Sequence, residues 1–167
     1  MPVSTPALKR FLIVGLGFLP ALVFARIGET TEECEKRYGK PEHPVFQDPK
    51  TPDLSFAIYR KGQLEILIVF LNGKAGSILY SPSNTNTVEA LTPESVEVLL
   101  KANIGDVPWS HSQDPTNENV QHFETTNGTF TASYDAGKNT LTIENKDMLE
   151  HTKNIRRMKA AGKLKGF

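Results

Sequence analysis

The chain has 167 residues, equal numbers of basic and acidic side chains, and a single cysteine, Cys34. This length suits one domain or two small ones, and one cysteine excludes an intramolecular disulfide, so buried apolar side chains must supply the stability. Residues 26–145 hold 10 basic and 17 acidic side chains, whereas residues 146–167 hold 7 basic and 2 acidic ones. We therefore expect no nucleic-acid binding by the acidic main body.

The first 25 residues have the pattern of a secretory signal peptide. Lys9 and Arg10 precede an apolar run over 11–24, and Ala25 ends a Val-Phe-Ala triplet typical of a cleavage site. The run is shorter than the roughly 20 residues of a membrane span, although an uncleaved anchor is an alternative. We expect cleavage after Ala25 and a soluble periplasmic or secreted protein. Because arginine rather than cysteine follows the cleavage point, a lipoprotein is not expected.

The remaining chain repeats itself. Gln47-Asp48-Pro49 recurs as Gln113-Asp114-Pro115, with turn glycines in step, which indicates a duplication. Each copy opens with a capped helix, at Thr30 and at Thr92, and continues with four segments of strand-like alternation. The predicted fold class is α+β, with two tandem units of a short helix packed on a four-stranded antiparallel sheet. The boundaries are a first unit over 26–81, a linker over 82–90, a second unit over 91–145 and a basic C-terminal helix or tail over 146–167.

Alternation along the strands also predicts which side chains of the sheet face the helices and which face away from them. We expect one sheet face to point to the helices, through Phe56, Ile66, Ile68, Phe130 and Tyr134. The opposite, open face then carries Tyr59, Leu67, Val69, His122, Thr129 and Thr131. Apolar residues there need a cover, which the C-terminal helix, a second copy or a partner could supply. Trp109 fits either a core position or an exposed interface anchor.

A family resemblance rests on the start of the mature chain. Its pattern Gly28-x-Thr30-x-x-x-Cys34-x-x-x-Tyr38-Gly39-x-Pro41 resembles the small outer-membrane lipoproteins of the SmpA/OmlA family. The tandem helix-plus-four-strand order resembles the related β-lactamase-inhibitor-protein (BLIP-like) fold. The resemblance implies a sheet with one face open for a protein partner and implies no catalysis. Arg37 stands at a usually apolar position, and the lipid-attachment cysteine and disulfides of those proteins are missing.

Candidate catalytic chemistry is weak in this chain. Cys34 lies among glutamates that raise a thiol pKa, so we expect a buried apolar group and not a nucleophile. A small hydrolase or metal site could use four side chains, namely His111, Asp114, His122 and Glu124. No metal-binding or nucleophile motif surrounds them, and we predict no catalytic residue, no metal and no cofactor. Convergence of the four in one pocket would favour the hydrolase.

The sequence therefore favours an exported protein-binding or envelope-assembly module, with an envelope or extracellular protein, or a second copy of the chain, as partner. The residues predicted to bind are the open-face set together with Trp109. An alternative function is attachment to an anionic surface through the basic tail. Its cationic residues are Lys153, Arg156, Arg157, Lys159, Lys163 and Lys165. A solvated terminal helix is the plainer interpretation of the same charges.

Overall fold

The computed structural model describes residues 26–83, 91–114 and 116–162. The predicted signal peptide, most of the predicted linker and the tail residues Lys163 and Lys165 lie outside this part of the chain. The elements in chain order are α1 (Thr31–Tyr38), β1 (Phe46–Gln47), β2 (Leu54–Lys61), β3 (Leu64–Leu71), β4 (Lys74–Pro82), α2 (Pro93–Ile104), β5 (Trp109–Asp114), β6 (Asn117–Thr125), β7 (Phe130–Asp135), β8 (Thr140–Asn145) and α3 (Lys146–Ala160).

The strands form one antiparallel sheet of eight, in the order β1-β2-β3-β4-β8-β7-β6-β5. The prediction of two tandem units with separate four-stranded sheets is therefore wrong. The pairing of β4 with β8 contradicts that prediction. It runs from Ser77 opposite Glu144 to Tyr80 opposite Leu141. Two separate sheets would each leave one of these strands as an edge with unpaired backbone groups. Pairing satisfies those groups and joins the apolar sides of both halves into one core.

Both predicted helix starts are confirmed. Thr30 caps α1 in a capping box with Glu33, and Thr92 caps α2 ahead of Pro93. The two helices pack on the same side of the sheet. Tyr38 of α1 meets Tyr59 with ring centroids 5.4 Å apart. In α2, Asn103 Nδ2 donates to the Tyr80 hydroxyl at 3.0 Å, which ties that helix to β4.

The core lies between the sheet and the α1–α2 layer. Two rows of directly opposed residues cross it, namely Tyr59, Ile66, Tyr80, Leu141 and Tyr134, and then Ala57, Ile68, Ile78, Ile143 and Ala132. The prediction for Tyr59 is wrong, because this side chain is fully buried in the core. Tyr59 stands directly opposite Ile66, and residues opposed across a strand pair point to the same side.

The prediction for Phe56 is also wrong, because this side chain faces away from the helices. It lies opposite Val69 and is half-buried on the side away from α1 and α2, where Ile58 and Leu67 form the next pair. The prediction for Ile66, Ile68 and Tyr134 is confirmed. We call the side of the sheet opposite α1 and α2 the open face.

The C-terminal helix is confirmed and covers one end of the open face. Asn145 caps α3, and its side chain accepts from Met148 N at 2.8 Å. Met148 is buried against Gly76, where an added methyl group would come within 2.7 Å of Met148 Cε. One turn later, His151 Nε2 lies 3.5 Å from Asp53 Oδ2. No helix in the described part of the chain has the length and apolar character of a membrane span.

Candidate functional site

The open face divides into an apolar and a polar region. Over β1–β4 the register places eight apolar side chains on it. Leu54 and Leu71 form one cross-strand pair, and we call the other six the apolar patch: Phe46, Phe56, Ile58, Leu67, Val69 and Leu79. Over β5–β8 the same two rows continue with polar side chains, which we call the polar patch: Ser110, Ser112, His122, Glu124, Thr131, Ser133, Thr142 and Glu144. The predicted open-face residues Leu67, Val69, His122 and Thr131 all lie on the open face, the first two in the apolar patch and the last two in the polar patch.

Phe46 is the most exposed member of the apolar patch. It retains 60% of its accessible surface, and its ring centroid lies 6.2 Å from that of Phe56. The other five members are half-buried. Beside them on the same face, Arg60 Nε lies 3.2 Å from Glu42 Oε1, and Arg60 also approaches Glu65 at 3.9 Å. The patch therefore joins exposed aromatic surface to a charged border.

Sequence reasoning missed Phe46, Phe56, Ile58 and Leu79 as members of this patch. Each alternating set in β2 contains side chains that fit a core, Phe56 and Ile58 in one and Ala57 and Tyr59 in the other, so the sequence alone could not decide which set faces the helices. The signal that could have decided it is the cross-strand pairing of β2 with β3, since Ile66 on the helix side requires Tyr59 there and Ile58 on the open face.

His122 of the polar patch lies close to the carboxylate of Asp114, the last residue of β5. His122 Nε2 lies 3.3 Å from Asp114 Oδ2, and the Asp114 carboxylate also accepts from Thr116 N at 2.7 Å and Thr116 Oγ1 at 2.6 Å. The Thr116 hydroxyl and amide, followed by His122, lower the pKa of Asp114 to about 2. Asp114 is therefore a stable anion at neutral pH, which suits a structural hydrogen-bond acceptor better than proton transfer.

The four side chains of the hydrolase hypothesis do not all converge, because His111, His122 and Glu124 border one cavity of about 230 Å³ whose lining does not include Asp114. His111 pairs with Phe123 on the helix side of the sheet, its ring 6.3 Å from that of Phe123, and so faces away from His122. Glu124 shares the open face with His122, but its Oε1 reaches toward Gly128 in the β6–β7 turn. In residues 26–83, 91–114 and 116–162, no cluster of three or more metal-capable acidic, histidine or cysteine side chains occurs.

Trp109 lies at a surface cavity and also packs against the core. The cavity has a volume of about 250 Å³ and lies between the end of α2 and strands β5 and β6. Its lining includes Leu100, Lys101, Asp106, Val107, Trp109, His111 and Phe123. The indole Nε1 is buried and has no acceptor among the described residues. Trp109 is thus half-buried, because it packs against the core and also lines a surface cavity.

The remaining candidates lie apart from these surfaces. Cys34 is fully buried on the inner side of α1, and burial, followed by the nearby Glu29, raises the pKa of its thiol to about 12. The expected burial of Cys34 is confirmed. Thr129 is exposed just before β7, and its carbonyl accepts from Lys146 N at 3.0 Å. The predicted tail residues that lie in α3 are Lys153, Arg156, Arg157 and Lys159, and all four are exposed.

Comparisons with known proteins identify no family. No family model and no curated protein matches the chain. Among solved structures, a cysteine-rich secretory protein from Staphylococcus aureus is similar with a TM-score of 0.41 and 10% identity. The similarity covers 74% of this chain and 46% of that one, so the chain spans less than half of its length. The SmpA/OmlA-like and BLIP-like resemblance stays a prediction.

Proposed function

We propose that the chain is an exported protein-binding module whose apolar patch contacts an envelope or extracellular protein. The observation that carries the proposal is Phe46, which is 60% exposed beside Phe56 at the edge of a continuous row of apolar side chains. Exposed apolar surface of this kind on a sheet is typical of a contact site.

The composition of the patch and its border supports a protein as the ligand. Protein interfaces combine an apolar centre, enriched in aromatic residues, with a polar rim. Phe46 and Phe56 supply the aromatic residues, and the Arg60, Glu42 and Glu65 cluster supplies a charged rim. The apolar patch presents no nucleophile or proton-transfer pair, so binding rather than catalysis is the activity we propose for it.

Site-directed photo-crosslinking tests the proposal in the native envelope fraction. The full chain is expressed with a photoreactive phenylalanine analogue at position 46, alone or together with Leu67→Asp. We expect a cross-linked product with another protein that Leu67→Asp reduces by about tenfold or more, because it places a charge in the centre of the contact. Thermal unfolding of both proteins verifies that the variant remains folded.

The matched control is Val98→Asp, which introduces the same charge at an exposed apolar residue of α2 on the other side of the sheet. It should leave the cross-link unchanged. A product of twice the chain's mass would identify a second copy as the occupant. Equal cross-linking in the Leu67→Asp and Val98→Asp proteins would show that the apolar patch is not the contact surface.

A further inference from the structure

The second surface of interest is the outer edge of β5, at the end of the sheet farthest from the apolar patch. Thr126 N donates to Pro108 O at 3.2 Å, which fixes the phase of hydrogen bonding between β5 and β6. Because hydrogen-bonded and non-hydrogen-bonded pairs alternate in an antiparallel ladder, Ser110 and Ser112 direct their backbone groups to β6. Trp109, His111 and Gln113 then direct theirs outward.

This edge lacks the usual features that protect an edge strand. In the described part of the chain, no strand pairs with the outer side of β5. The strand Trp109–Asp114 has six residues without lysine or proline, whereas β1 at the other edge has only two residues. Natural proteins usually block exposed edges with short strands, lysine or proline. The outer side of β5 is therefore available for pairing.

The Trp109 cavity lies beside this edge. Trp109 and His111, two of the residues with outward backbone groups, line it together with Leu100 and Phe123. A strand added to β5 would bring a side chain over this apolar lining.

The negative charge of the second half of the sheet favours a positively charged ligand. Residues 91–145 contain 8 acidic and 2 basic side chains. Both basic ones are paired, Lys101 with Asp106 and Lys138 with Asp135, each at 2.8 Å. Glu97 and Asp106 border the cavity itself. An excess of negative charge around a binding edge attracts cationic segments.

We propose that β5 binds an extended, basic peptide segment of a partner protein by strand addition, with one apolar side chain seated in the Trp109 cavity. Main-chain hydrogen bonds supply affinity in such complexes, and the pocket beside the edge supplies specificity. This site is separate from the apolar patch in both position and chemistry. Leu67→Asp should therefore leave it intact.

The single tryptophan gives a direct test on the full chain. The probe is a synthetic peptide of alternating lysine and leucine, and the control peptide has glutamate in place of lysine. We expect the lysine peptide to change Trp109 fluorescence, with an affinity that falls as salt increases, and the glutamate peptide to have no effect. Hydrogen exchange at the His111 and Gln113 amides should slow, while the Ser110 and Ser112 amides should change little.

His111→Pro and His111→Ala separate the backbone from the side chain. Proline is tolerated on an edge strand where its missing N–H faces solvent, so both variants should fold. We expect His111→Pro to bind about tenfold more weakly than His111→Ala, because it lacks one outward donor. Asp106→Asn should weaken binding, and Glu32→Gln on α1 should not.

Three outcomes would overturn the proposal. The first is no fluorescence change with the lysine peptide, and the second is equal affinity of the proline and alanine variants. The third is tighter peptide binding after deletion of residues 163–167, because that would assign the edge to the chain's own terminal segment. If the protein with the photoreactive residue at position 46 and no other substitution formed no cross-linked product, that would contradict the apolar patch and leave the β5 site standing.

Discussion

The two halves of the sheet share a plan and differ in what surrounds them. Both have a capped helix followed by four strands, and both direct apolar side chains to the α1–α2 layer. The first half is apolar on its open face as well, and α3 packs against its end through Met148 and Gly76. The second half has a polar open face. One sheet therefore presents surfaces of different chemistry to its surroundings.

Charge follows the same division. Residues 26–83 hold 8 basic and 8 acidic side chains, whereas residues 91–145 hold 2 and 8. The neutral half carries the exposed aromatic residue Phe46, and the acidic half carries the outer edge of β5, which no described strand pairs. Exposed apolar surface and excess negative charge are thus separated along the sheet. Substitutions should change each without changing the other.

The largest expected effect is the loss of core volume in the first half. Ile68 is fully buried in β3, so Ile68→Ala should lower the free energy of unfolding by about 2–5 kcal/mol. The matched change in the second half is Val120→Ala, at a half-buried position of β6, which should cost about 1 kcal/mol or less. Urea unfolding of the two variants measures the difference. Equal costs would mean that Ile68 is not more deeply buried than Val120.

A medium effect is expected where α3 meets the first half. Gly76→Ala should cost about 1–3 kcal/mol, because the new methyl group would lie 2.7 Å from Met148 Cε and 3.1 Å from Met148 Cβ. The contact is local, so the part of the cost that comes from Met148 Cε should disappear in a Met148→Ala background, while the closer approach to the Cβ at position 148 remains. A double-mutant cycle by urea unfolding measures this coupling. An unchanged cost in the Met148→Ala protein would show that α3 does not pack on Gly76.

The smallest expected effect is a pH-dependent one in the second half. The folded-state pKa of Asp114, about 2, lies below the ordinary value of 3.8. Its contribution to stability is therefore present above pH 3.8 and is lost as the pH falls through about 2, because the unfolded chain then binds the proton more readily. Asp114→Asn should destabilise the protein at pH 5 and make little difference near pH 2. A constant difference between the two proteins across this pH range would contradict the assigned pKa.

Local features were predictable from the sequence because short-range chemistry decides them. Thr30 and Thr92 cap the helices, and the apolar run Leu64–Leu71 coincides with β3. Asn72-Gly73, a typical hairpin sequence, forms the next turn with both residues at positive φ. The third helix begins at Lys146, the first residue of the predicted C-terminal segment.

Long-range features were not predictable in this way. The repeat suggested that each half closes its own sheet, because a single sequence gives no sign that β4 and β8 pair across α2. The face of β2 was ambiguous because Phe56 and Tyr59 both fit a core position. The Trp109 cavity also depends on pairing, since it forms only where the end of α2 passes over β5 and β6.

The pairing of β4 with β8 also sets an order on folding. Tyr80 and Leu141 meet there although roughly sixty residues separate them, so closing this contact carries a loop-closure cost that local hairpins avoid. Until β8 arrives, β4 would be an unprotected edge containing Ile78 and Tyr80, which are fully buried in the finished sheet. A growing or truncated chain that ends before Leu141 is therefore the form most prone to aggregate. The last strand to be made completes the middle of the molecule.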